Sequence, residues 1–127
     1  MQLEKKISNA ELEVMKILWR EKKAVPFTDI RLELQTSKGW EKSTINTLIR
    51  RLVEKKAIIA EKRDIIYYVP NVHESEYIQS EEQSMLDRLY EGSAKKFIVA
   101  LCHRGQLKEK DIDELKAFFK LEGERNE

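Results

Sequence analysis

Between positions 42 and 51 this chain places three cations and four short hydrogen-bonding side chains: Lys42, Ser43, Thr44, Asn46, Thr47, Arg50 and Arg51. Lysine and arginine neutralise phosphate oxygens. Serine, threonine and asparagine are short enough to reach base edges inside a major groove. A second cationic pair, Lys62 and Arg63, sits between two β-prone runs, where it would touch backbone phosphate. The chemistry on offer is recognition of double-stranded DNA. Catalysis has no comparable support, because there is no Gly-rich phosphate loop, no Ser-His-Asp set and no paired-carboxylate spacing.

These side chains need a scaffold, and the same segment supplies it. Ile45, Leu48, Ile49, Leu52 and Val53 recur at i, i+3, i+4, i+7 and i+8, which predicts one buried helical stripe with the polar set facing the other way. An ordinary amphipathic core helix has the same stripe, but its solvated face more often carries Glu/Lys pairs. Upstream, Ser8-Asn9-Ala10-Glu11 has capping-box spacing. It predicts a first helix with Leu12, Met15, Leu18 and Trp19 turned inward and a polar end at Glu21-Lys22-Lys23. Val25-Pro26 leads into a shorter helix with Phe27, Ile30 and Leu34 inside and Pro26 in its first turn. Ser37-Lys38-Gly39 breaks that pattern, which gives a helix-turn-helix.

After Lys56 the period changes. Ala57-Ile58-Ile59-Ala60 and Ile65-Ile66-Tyr67-Tyr68-Val69 read as the strands of a hairpin with the charged tip Glu61-Lys62-Arg63-Asp64. The expected fold is mostly α with a small β-hairpin: a winged helix-turn-helix over residues 1–70, followed by a helical domain over residues 71–127. The second part should form helices near 73–91, 93–104 and 109–121, punctuated by Gly92 and Gly105. Their apolar positions Ile78, Met85, Leu89, Phe97, Ile98, Leu101, Ile112, Leu115 and Phe119 lack an evident partner within so short a segment. A homodimer interface is the expected cover.

The charge is split in the same way. The formal net charge is only +1, yet residues 1–70 hold 15 Lys/Arg against 10 Asp/Glu and residues 71–127 hold 9 against 13. A basic binding half and an acidic half are expected. No run of 18 apolar residues could span a bilayer, so no membrane insertion is expected. The opening residues Met-Gln-Leu-Glu-Lys-Lys lack the apolar core of a secretion signal, which points to the cytoplasm. Cys102 is the single cysteine, so neither an intrachain disulfide nor a cysteine metal cluster is expected, and no cofactor is implied.

In order and spacing, the motifs resemble the penicillinase-repressor (BlaI/MecI) family. They are Ile7-Ser8-Asn9-Ala10-Glu11-Leu12-Glu13-Val14-Met15 with Leu18-Trp19, then Trp40-Glu41-Lys42-Ser43-Thr44-Ile45 with Thr47-Leu48-Ile49, Arg51-Leu52 and Lys55-Lys56, then Tyr68-Val69-Pro70. The resemblance implies a homodimeric repressor on a TACA/TGTA inverted repeat that controls β-lactam-resistance genes. By position, Ser43, Thr44, Asn46 and Thr47 would face bases or nearby phosphates, while Arg51, Lys62 and Arg63 would hold the backbone. It also implies relief by a membrane sensor protease cutting in the second dimerisation helix, where the aligned bond joins Ala100 to Leu101 in place of the family's frequent Asn-Phe. Three departures carry structural expectations. Glu41 replaces a better-capping Ser, Ala57 replaces the Gly that commonly ends the recognition helix and would be strained in a left-handed position there, and the wing is a few residues short. A copper-responsive branch with a terminal Cys-x-Cys is not matched. The alternative function is a winged-helix module that binds protein, or a repressor of this fold answering another signal.

Several residues invite a different reading. Cys102-His103 looks like a metal or catalytic pair, but adjacent helical residues diverge by about 100°, and Cys102 is expected to be a small core or interface residue. Glu109, Asp111, Asp113 and Glu114 suit a solvated helix start. Trp40 could stack on a base but is expected to plug the core.

Overall fold

The computed structural model describes residues 6–125 and divides into two compact units, Met1–Gln79 and Ser80–Glu127. In chain order the elements are α1 (Asn9–Glu21), β1 (Val25–Pro26), α2 (Phe27–Lys38), α3 (Lys42–Glu54), β2 (Ile58–Lys62), β3 (Ile66–Pro70), α4 (Glu74–Tyr90), α5 (Ala94–His103) and α6 (Glu109–Arg125).

The first unit is a winged helix. Its α1 begins where the sequence places it: Ser8 Oγ accepts the Glu11 amide at 3.1 Å and Glu11 Oε1 accepts the Ser8 amide at 2.9 Å, the reciprocal capping box. Val14, Met15 and Leu18 of α1, Ile30 and Leu34 of α2, and Ile45, Leu48, Ile49 and Leu52 of α3 close one core. Trp40 packs against that core half-buried, as a plug. Val53 does not join it: at 39% exposed it lies outside the stripe to which its spacing assigned it.

The end of α3 explains the absent glycine. The Lys56 amide donates to Val53 O at 3.0 Å, the Ala57 amide donates to Leu52 O at 2.9 Å, and Lys56 has φ of 64°. This is a Schellman motif with Lys56 in the left-handed position. Ala57 follows it and is fully buried, like Leu52, which supplies the apolar contact that accompanies such an end. Strain expected at Ala57 therefore falls one residue earlier.

The sheet has three strands, not the two of a simple hairpin. The order is β1-β3-β2, all antiparallel, with Val25 opposite Tyr68 and Ile59 opposite Val69. Pro26 accordingly ends a short edge strand and N-caps α2 with φ −70° and ψ 149°, where its missing N–H interrupts no ladder. The wing's turn is also shifted: Lys62 closes β2, and residues 63–65 make the turn, with the Arg63 amide donating to Ile65 O. Beyond β3, Val72 is buried, its carbonyl accepts the Trp19 indole N–H at 2.9 Å, and Tyr77 lies 5.7 Å from Trp19, ring to ring. These contacts hold the start of α4 in the first unit.

The second unit holds the remainder of α4 with α5 and α6. Ser93 caps α5 by accepting the Lys96 amide, and Asp111 accepts the Lys108 amide ahead of α6. Tyr90 and Phe97 pack at 5.2 Å. No side chain of α5 is buried, and Leu89, Ile98, Phe118, Phe119 and Leu121 are all more than 40% exposed. Such a density of bare apolar surface is unusual for a soluble unit by itself.

Candidate nucleic-acid interface

On α3 the buried stripe and the polar face are opposite each other at 100° per residue. Ser43, Thr47 and Arg50 stand directly away from Ile45 and Leu52; Asn46 and Lys42 flank them on one side, Arg51 and Thr44 on the other. All seven are solvent-exposed except Thr47, which is half-buried. Thr47 Oγ1 donates to Ser43 O at 3.0 Å, so its proton is spent inside the helix and its lone pairs and methyl face outward. That leaves an acceptor and an apolar contact for a base edge.

This face gathers unpaired cations around short polar side chains. Elsewhere in the unit several cations are neutralised: Arg20 forks onto Glu33 and also reaches Glu21, Lys16 and Lys38 meet Glu13, and Lys55 meets Glu11, whereas Lys22, Lys23 and Arg31 have no such partner among the described residues. Lys42, Arg50, Arg51 and Lys62 make no side-chain hydrogen bond or ion pair among the described residues. The first turn of α3 carries no acidic residue, and Glu41 makes no side-chain cap. Its leading amides remain open to an anion.

Arg63 is held differently. Its guanidinium donates to Glu61 at 2.9 Å and lies 4.6 Å from the centre of the Tyr67 ring, so the wing's outermost cation is oriented before any ligand arrives.

The sequence offered no direct sign of what fixes α3 to α1. Lys55, part of the basic run after the helix, turns inward: Nζ donates to Glu11 Oε1 and to Lys6 O at 2.8 Å. Glu11 is 1% exposed. Burial pushes its carboxyl up, but the Lys55 ammonium and the Ser8 amide and hydroxyl outweigh burial and hold it below the usual carboxylate range. Oε1 of Glu11 accepts both the Ser8 amide of the capping box and the Lys55 ammonium, so one carboxylate oxygen ties the start of α1 to the end of α3.

Cys102 is exposed, not a core residue, and His103 beside it is exposed too. Among the described residues no group of His, Cys, Asp or Glu could hold a metal ion, and no helix is long and apolar enough to cross a membrane. The Ala100–Leu101 bond lies inside α5, both side chains half-buried.

Comparison with known proteins follows the same outline. The model of the family described as penicillinase repressor matches residues 7–120. The chain is 34% identical to the penicillinase repressor of Bacillus licheniformis over 86% of this chain and 85% of that one. It is 35% identical to the methicillin resistance regulatory protein MecI of Staphylococcus aureus strain N315 over 87% and 89% respectively. The solution structure of the DNA-binding domain of the repressor BlaI superposes with a TM-score of 0.51 at 38% identity, covering 57% of this chain and 93% of that domain. The Bacillus licheniformis BlaI monomeric form, solved in complex with the blaP half-operator, superposes with a TM-score of 0.53 at 36% identity, over 61% of this chain and 94% of that one.

Proposed function

The chain belongs to the penicillinase repressor family, and from that premise we propose that it represses β-lactam-resistance genes by occluding their promoter as a homodimer on a TACA/TGTA inverted repeat. The observation that carries the reading is the face of α3, where Lys42, Arg50 and Arg51 stand unpaired among the described residues around Ser43, Asn46 and Thr47. Ser43, Thr44, Asn46 and Thr47 read bases or nearby phosphates; Lys42, Arg50, Arg51, Lys62 and Arg63 hold the backbone. Residues 71–127 pair two chains through the bare apolar stripes that include Leu89, Ile98 and Phe119, so that two α3 helices meet successive major-groove faces. Cutting of α5 at Ala100–Leu101 by a membrane sensor protease separates the chains and relieves repression. Because that bond lies within a helix, the cut requires α5 to open first.

Fluorescence anisotropy with a TACA/TGTA duplex and a scrambled duplex, at about 50 and 200 mM salt, tests the reading, since phosphate contacts alone change affinity by orders of magnitude over that range. Dyad preference that survives the higher salt is expected. Binding that is absent, or indifferent to sequence, would favour a winged helix serving a protein partner.

A further inference from the structure

The end of α1, the end of β3 and the first residues of α4 border an open groove of about 670 Å³ within the first unit, a volume in the range of small-ligand sites. None of its lining belongs to the polar face of α3 or to the turn of the wing. Its floor is apolar, made by Leu18, Trp19, Val69 and Pro70. The Trp19 indole N–H is already bonded to Val72 O, so the ring presents carbon surface that needs no polar partner from a ligand.

The rim has the opposite character. Lys22 and Lys23 follow α1 in a turn that Lys22 makes with φ of 57°. Both are exposed, and neither side chain is paired among the described residues. Glu74 is the one carboxylate of the lining against these two ammonium groups. A neutral apolar ligand would cover the lysines and leave them without a partner, which is unfavourable. An anionic head group at the rim removes that penalty and gains charge-assisted hydrogen bonds.

We infer that this groove binds a small amphipathic anion, an aromatic body carrying one carboxylate, with the body against Trp19 and Val69 and the carboxylate at Lys22 and Lys23. Isothermal titration calorimetry of the full chain with 1-naphthoate, and with the neutral 1-naphthamide as its isostere, tests this directly. Saturable binding of the naphthoate is expected, with the amide at least about tenfold weaker. The double variant Lys22→Glu/Lys23→Glu, two exposed residues of a turn, should lose naphthoate binding. Lys95→Glu/Lys110→Glu, with the same change of net charge elsewhere, should keep it. No saturable binding to the wild type, equal binding of acid and amide, or equal loss in the two variants each overturns the inference. A thermal melt confirms that both variants are folded.

Discussion

Arg51 and Lys55 are four residues apart on or next to α3, and they do opposite things. Arg51 stays in solvent without a partner, whereas Lys55 is drawn in against Glu11. Single substitutions should therefore separate binding from stability. Arg51→Ala is expected to weaken all DNA binding and reduce the salt slope by about 1 without moving the melting temperature. Thr47→Ala removes the acceptor and methyl of a side chain proposed to face base edges. It should cost about 1–3 kcal/mol on the operator and little on random DNA, and equal losses on both duplexes would remove Thr47 from base reading. Lys55→Met should instead leave the isolated Glu11 charge buried and destabilise the fold by about 3–5 kcal/mol. The same pair fixes a pH dependence. Since the folded Glu11 carboxyl titrates below its unfolded value of about 4.5, its contribution is complete above that value and is lost as pH falls through the folded pKa. Denaturant titrations of the wild type and Glu11→Gln should differ at pH 7 and converge toward pH 3. Glu33 is also held low by its hydrogen bonds from Arg20, but both side chains are exposed and solvent screens the pair, so its share of the acid sensitivity is small.

At the scale of elements, much of the fold was legible. Apolar spacing identified α1, α2 and α3, and the capping box placed the start of α1 at Ser8 because both reciprocal bonds are local. Most of the differences concern contacts made at a distance in the chain; the turn of the wing and the end of α3 are shifted locally. Val25-Pro26 pairs with residues 67 and 68, and no local pattern marks a two-residue edge strand. The inward turn of Lys55 depends on a carboxylate 44 residues away. The left-handed position at the end of α3 was expected at Ala57 and lies at Lys56. Lys56→Gly should consequently stabilise the protein by about 1 kcal/mol by relieving that conformation. Ala57→Gly should destabilise it, because it adds backbone freedom and empties a buried position. Chemical denaturation of the two variants, side by side, decides the register.

For the whole molecule, burial is unequal. The first unit closes a core around fully buried residues such as Met15, Leu18, Ile45 and Leu52, whereas α4 and α5 bury none of their side chains. The sequence showed this as a basic half and an acidic half whose stripes lacked partners. It could not show what covers those stripes, since a second copy leaves no mark in the spacing of one chain. If residues 80–127 hold the dimer together, a chain ending at Gln79 should sediment as a monomer, keep the cooperative melt of the winged helix and lose most operator affinity through lost avidity. A dimer of that shortened chain would place the interface in the first unit.

The recognition helix is secured at its far end twice, by the Schellman turn through Lys56 and Ala57 and by the buried contact of Lys55 with Glu11. A helix anchored in this way is already formed and aimed when it meets a groove. Little ordering is left to pay for on association, so α3 should dock as a rigid body. The heat-capacity change of binding should then match the surface covered, without the larger excess that accompanies folding on contact.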